Sequence, residues 1–264
     1  MIVAPARYRP IRATATRMGG ARMGQEQIVR AMGIAILRGD YPEGALLPAE
    51  GDLMAQFGIS RTVLREVLKT LAAKGLVVSK TRVGTKVRNQ VDWNMFDSDL
   101  LGWRLDLGMD LRFLNSLYEI RLAVEPAACA LAALRRSDDS LARMRALIDE
   151  FRQPGHTRLT FAEVDLALHL EIAAASGNPF MRSVGAIIEA ALMASFVNTA
   201  PVEDLTRQKQ STEDHAAIVE AIARGDAKGA AEAMTAVIED GRKNRAAAML
   251  AGAAQSKNAE SKTL

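Results

Sequence analysis

The sequence predicts a mainly α protein of two domains: an N-terminal winged helix-turn-helix, built from three helices and a small β-hairpin wing, followed by an all-α bundle. Three observations carry this expectation. The stretch from Arg61 to Ala73 has apolar Val63, Leu64, Val67, Leu68 and Leu71 on one side and Arg61, Arg65 and Lys69, four apart, on the other. Two further helical patterns precede it, and two short alternating runs follow it. The charge is also divided: residues 1–90 hold 15 Lys+Arg against 6 Asp+Glu, whereas the remainder holds 19 against 25. A basic first part joined to an acidic second part points to a polyanion partner for the first part alone.

Taken in order, residues 1–22 read as a disordered basic arm, with Arg7, Arg9, Arg12, Arg17 and Arg22 and no acidic residue before Glu26. Residues 23–90 form the DNA-binding domain. Ile28, Met32, Ile36 and Leu37 give Met23 to Leu37 a helical pattern, ended by the turn from Arg38 to Gly44. A second, short helix has Pro48 in its first turn, Leu53, Met54 and Phe57 on its core face, and Gly58 at its end. Ser60 is suited to cap the third helix. After Gly75, Leu76-Val77-Val78 and Lys86-Val87 read as two strands, with Lys80, Thr81 and Arg82 exposed at the tip. Cations spaced four apart are commonly just a solvated helix face. The order of three helices and a basic hairpin is what turns Arg61, Arg65 and Lys69 into a major-groove face.

That order, with Leu47-Pro48-Ala49-Glu50, Ser60-Arg61-Thr62, Leu64-Arg65-Glu66-Val67-Leu68 and Val83-Gly84-Thr85-Lys86-Val87, resembles the DNA-binding half of the GntR family of bacterial transcription regulators over about residues 23–88. The resemblance implies that Ser60, Arg61, Thr62 and Arg65 on the helix, with Lys80 and Thr81 on the wing, contact double-stranded operator DNA. Two positions depart from the pattern. Gly51 stands where some relatives have an arginine that reaches DNA, and Arg82 replaces a common wing glycine.

Residues 91–98 read as a linker, near which lie both tryptophans, Trp93 and Trp103. They are suited either to anchor the angle between the domains or to pack at the start of the second. Residues 99–250 read as helix after helix, six long ones plus a short one near 98–106, with breaks at Arg136-Ser137-Asp138, Gln153-Pro154-Gly155, Ser176-Gly177-Asn178-Pro179, Thr199-Ala200-Pro201 and Arg224-Gly225-Asp226. Residues 251–264 read as a disordered tail. The run from Tyr118 to Pro126, the Ser176–Pro179 break and the Asp214-His215-Ala216-Ala217-Ile218 segment resemble the all-helical FCD domain of the FadR subfamily, which implies effector binding and dimerisation. Asn89-Gln90-Val91-Asp92-Trp93-Asn94, followed by Asp97-Ser98-Asp99-Leu100-Leu101-Gly102-Trp103, resembles repressors of sugar-acid catabolism within that family.

The chemistry of the second domain rests on Asp165 and His169, four apart on one helical stripe with Phe161 and Ile172 and so facing the bundle interior. His215 shares a stripe with Ile218 and Ile222 and also points inward. Three such donors suit Zn²⁺ or a similar divalent ion. The family resemblance implies an Asp, a His four later and two further histidines as metal ligands, but Val237 stands where the fourth is expected, and His156 lies in a loop too far away to replace it. The alternative is a metal-free polar pocket in which His169, His215 and Arg121 bind the effector directly. The resemblance places Arg121 in the cavity, where its guanidinium suits a carboxylate; a solvated surface arginine is the competing reading.

These elements together predict a ligand-responsive repressor of a sugar-acid operon, for an aldonate such as galactonate or a related carboxylate. It is expected to bind a palindromic operator as a homodimer and to leave it when the acid binds. It is not read as an enzyme, although a metalloenzyme using Asp165, His169 and His215 on an organic acid is the alternative, and a sequence-indifferent nucleoid protein a second one. The single cysteine, Cys129, allows no internal disulfide and suits a reducing cytoplasm, and no apolar run is long enough for a membrane span.

Overall fold

The computed structural model describes residues 24–108, 110–185, 187–192 and 204–260, and the chain divides into two compact units at Gly108. The expected basic arm lies outside the described residues.

In the first unit, α1 (Gln25–Arg38) starts at Gly24, whose backbone N–H donates to Gln27 Oε1 at 2.9 Å, and buries Ile28, Val29, Met32 and Ile36. Helix α2 (Glu50–Phe57) follows Ala49, so Pro48 precedes the helix and does not occupy its first turn. Gly58 ends α2 in the left-handed region at φ 64°, a conformation cheap only for glycine. Helix α3 (Arg61–Ala73) is capped by Ser60, whose Oγ accepts from the Val63 N–H. Leu64, Val67, Leu68 and Leu71 enter the core from α3. Strands β1 (Val77–Lys80) and β2 (Gly84–Val87) pair antiparallel, with Val77 opposite Val87 and Lys80 opposite Gly84.

The segment after the wing departs from the expected linker. A 3-10 turn (Gln90–Asp92) leads to α4 (Ser98–Asp106), and this helix belongs to the first unit, not to the start of the second. Trp93 and Trp103 are both buried in the first unit's core. Trp103 lies so close to α1 that a Cβ on Gly33 would stand 2.1 Å from its ring. Lys74, at the end of α3, is buried with Nζ 2.8 Å from Asp97 Oδ1, 2.7 Å from Asp99 Oδ2 and 5.5 Å from the Trp103 ring centroid. Aromatic burial against α1 and the ion pairs of Lys74 therefore fix 91–106 within the first unit.

The second unit is a helical bundle: α5 (Leu111–Arg135), α6 (Asp138–Phe151), α7 (Arg158–Ala175), α8 (Pro179–Ser183), α9 (helical at 187–192), α10 (Leu205–Ala223) and α11 (Ala227–Glu260). Side chains of Asp110, Ser137, Thr157, Asn178 and Asp204 accept backbone N–H groups at the starts of α5, α6, α7, α8 and α10. Asn178 thus shapes the break, as its position suggests. Helix α5 runs through the middle, packed on α7, α10 and α11. Cys129 is fully buried in it, and burial raises its thiol pKa above the ordinary range. Helix α11 continues to Glu260, so residues 251–260 are helical and not the expected tail, consistent with the alanine-rich composition of that stretch. Residues 261–264 lie outside the described residues. Among the described residues no helix is long and apolar enough to cross a membrane.

Candidate functional site

Two places carry chemistry, one in each unit. On α3, burying the apolar stripe leaves Arg61, Thr62, Arg65 and Lys69 exposed, as the four-residue spacing requires. Arg61 Nε lies 3.7 Å from Glu50 Oε2, and Lys69 Nζ bonds Glu66 Oε1 at 2.8 Å. Arg65 makes no ion pair among the described residues, so its guanidinium is the one uncommitted cation of that face. The Ser60 hydroxyl caps the helix by accepting from the Val63 N–H. On the wing Lys80, Thr81 and Arg82 are exposed. Arg82 takes φ 63°, a left-handed conformation that explains why glycine suits the position and that strains any other residue. At Gly51 an added Cβ would meet nothing within 4 Å, so the missing side chain leaves open space and no packing defect.

In the second unit, Asp165 and His169 on α7 meet His215 on α10, each more than nine-tenths buried. One ligand-type atom from each lies within 4.8 Å of the others. His215 Nε2 stands 2.7 Å from Asp165 Oδ1 and His169 Nε2 stands 3.8 Å from it. The 2.7 Å contact pairs His215 with Asp165, while Asp165 Oδ2 and His169 Nε2 have no hydrogen-bond partner among the described residues. Buried polar atoms left this way are costly. Two such atoms beside the His215–Asp165 pair converge on one space, an arrangement that fits a bound group.

The far side of each imidazole settles which nitrogen is free. His215 Nδ1 lies 2.6 Å from the Ser211 carbonyl oxygen, which can only accept, so Nδ1 carries the proton and Nε2 keeps its lone pair in the neutral ring. His169 Nδ1 bonds the Glu125 carboxylate, leaving His169 Nε2 in the same state. A carboxylate or carbonyl behind each ring is the arrangement that orients metal-ligating histidines. The residues therefore fit a divalent ion bound through Asp165, His169 Nε2 and His215 Nε2.

Arg121 is buried at this site, not solvated, and its Nε donates to Glu125 Oε1 at 2.5 Å while Nη2 reaches Oε2 at 3.4 Å. Burial opposes ionisation of Glu125, yet Arg121 and the hydrogen bond from His169 outweigh it and hold the carboxyl at about 2. Burial likewise opposes the charge on Asp165, and His215, His169 and Arg121 hold its pKa below the ordinary value. Against burial, Asp165 raises the pKa of His215. Without a metal, a proton on His215 Nε2 would be the natural partner of Asp165.

A cavity of about 240 Å³ opens beside these donors. Tyr118, Arg121 and Val237 line it, so the residue at the expected fourth-ligand position does face the site but offers no donor. His156 stays apart, bonded to the Glu150 carbonyl and Thr160. Sequence reasoning missed Glu125, although its place four residues after Arg121 in an apolar helix was a usable signal. It also missed Arg207, Gln210, Asp214, Asp240 and Asn244 on the cavity wall, which read as ordinary polar positions of amphipathic helices.

Comparison with known proteins bears on both units. The model of bacterial regulatory proteins of the gntR family matches residues 25–87, and the FCD domain model matches residues 116–240. The HTH-type transcriptional regulator YieP of Escherichia coli K12 is 35% identical over 205 residues, 77% of this chain and 87% of that protein. The galactonate operon transcriptional repressor of the same organism is 32% identical over 213 residues, 81% of this chain and 93% of its own. A solved structure of Lar, which controls expression of the Listeria monocytogenes agr system, has a TM-score of 0.59 at 18% identity, covering 86% of this chain and 98% of that one, and supports the fold alone.

Proposed function

This chain belongs to the gntR family of bacterial regulatory proteins, with an FCD domain in its second half, and we propose that it represses a sugar-acid or related carboxylate operon until the acid binds. It is a transcription regulator and not an enzyme, which removes the metalloenzyme alternative. A sequence-indifferent nucleoid role also fails to account for an effector domain. The observation that carries the proposal is the convergence of buried Asp165, His169 Nε2 and His215 Nε2 beside a partly open cavity.

These three residues would hold Zn²⁺ or a similar ion, which when bound would supply a Lewis-acidic position for the carboxylate of the effector. Arg121 gives two of its five N–H groups to Glu125 and keeps the rest for the acid. It is therefore a shared anchor, not the free clamp that the sequence alone suggests. The likeness to a galactonate operon repressor supports a sugar acid as the effector. On the DNA side, Ser60, Arg61, Thr62 and Arg65 would enter the major groove while Lys80 and Thr81 grip the backbone. A cytoplasmic homodimer formed through the second unit would read the two halves of a palindrome. The acid would act by binding one conformation better than the other.

The test is anisotropy with a labelled palindrome from upstream of the regulated operon. Metal-loaded protein is expected to release it on addition of an aldonate, and chelated protein to lose that response. Val237→His is expected to tighten metal binding by adding a fourth donor. Protein that ignores every carboxylate while metal-loaded overturns the proposal.

A further inference from the structure

We propose, resting on the metal-and-carboxylate reading above, that Asp214 and Asp240 read hydroxyl groups along the bound acid, so that the pocket selects a short polyhydroxy monocarboxylate over a dicarboxylate or an unsubstituted fatty acid. The wall facing the three donor residues comes from α10 and α11 and is polar. Gln210 Nε2 donates to Asp214 Oδ1 at 2.8 Å, and Asn244 Nδ2 donates to Asp240 Oδ2 at 2.7 Å. Each carboxylate is thus tethered through one oxygen by an amide one turn away on its own helix. Its second oxygen has no hydrogen bond or ion pair among the described residues, and both aspartates line the cavity.

An ionised carboxylate only accepts hydrogen bonds, so a ligand meeting this wall must bring donors. Hydroxyls do so without adding charge. A second carboxylate would meet two aspartates against Arg207, the one cation of that wall among the described residues. Arg207 is exposed and has no ion pair among the described residues, and it can donate to a hydroxyl oxygen of the ligand. An acyl chain fares no better, since among the described residues Leu192 and Val237 are the aliphatic side chains that line the cavity. At about 240 Å³ the space is below that of pockets for drug-sized ligands and fits a small metabolite. Asp165, His169 and His215 line this same cavity, which ties the two walls to one ligand.

The experiment uses the full chain loaded with one equivalent of Zn²⁺ and titrated calorimetrically with hexanoate, a set of six-carbon aldonates that includes gluconate and galactonate, and galactarate. The best aldonate is expected to bind about tenfold or more tightly than hexanoate or galactarate. Asp214→Asn and Asp240→Asn keep an oxygen for the tethering amide but remove the charge. Each is expected to weaken the aldonate about tenfold, to leave hexanoate within about twofold, and to narrow the deficit of galactarate. Melting temperatures close to that of the parent check that both variants fold. Equal binding of hexanoate, aldonate and galactarate, all lost on chelation, would leave the metal reading standing and overturn this one. Full aldonate affinity in both variants would overturn it as well. If none of the acids binds to metal-loaded protein, both readings fall.

Discussion

Glu125→Gln separates a structural role for the buried charge network from a metal-orienting one. The substitution preserves shape but removes the negative charge that faces Arg121 on one oxygen and His169 on the other. Arg121 is 3% exposed, and Asp165 is then the one remaining anion in its electrostatic surroundings. Breaking a buried pair by removing one partner costs about 3–5 kcal/mol, and a loss near the lower end is expected because Asp165 still compensates in part. The second effect is specific to the metal. A glutamine with its oxygen in the Oε2 position serves His169 but turns its NH₂ on Arg121 Nε, and the reverse placement turns its NH₂ on His169. If its NH₂ turns toward His169, the ring must accept at Nδ1 and move its proton to Nε2, the nitrogen that faces the other donors. Loss of such an outer carboxylate typically lowers metal affinity about 10–100-fold. Denaturant titration of chelated protein measures the first effect, and competition for Zn²⁺ with a chromophoric chelator measures the second. A destabilised variant that binds Zn²⁺ as tightly as the parent would refute the tautomer argument and leave Glu125 as a counter-ion alone.

Three further outcomes follow from the geometry. Arg65→Ala is expected to cost about 1–3 kcal/mol on a cognate operator and to relax base preference, and unchanged affinity and selectivity at moderate salt would remove α3 as the reader. Gly33→Ala forces a methyl into the buried Trp103 ring, with overpacking expected to cost about 1–3 kcal/mol and to shift tryptophan fluorescence; a neutral result would mean that α4 does not pack on α1 in solution. The Glu125 carboxyl, held at about 2 against an ordinary 4.5, gives its full stabilisation above about pH 4.5 and loses it as the pH falls toward 2. That shift corresponds to about 3 kcal/mol, so acid unfolding of the chelated protein should lose this limb in Glu125→Gln.

Much of the architecture is legible in the sequence because its signals are local. The amphipathic stripe of α3, the Ser60 cap, the Gly58 stop and the paired hairpin runs all depend on neighbours a few residues apart. Where the reading departs from the structure, the deciding contact is distant. Trp103 finds its pocket against Gly33, and Lys74 finds Asp97 and Asp99. Nothing within the 91–106 segment tells on which unit it packs. Asp165, His169 and His215 were readable because inward helical stripes betray buried polar groups. For Glu125 only the four-residue spacing from Arg121 was readable, since its partner His169 lies on another helix, and Arg121→Ala, which looks from sequence like a clean test of effector binding, would in fact strand the Glu125 charge in the core.

The claim on which the rest depends is that Asp165, His169 and His215 hold a metal which the effector needs. Tag-free protein purified without chelator, dialysed extensively and analysed by elemental mass spectrometry tests it most directly, in parallel with Asp165→Asn. The account predicts close to one divalent ion per parent chain, little in the variant, and aldonate-induced release from operator DNA only while the ion is present. Dialysed parent protein that carries no metal and still leaves its operator on addition of the acid would contradict it.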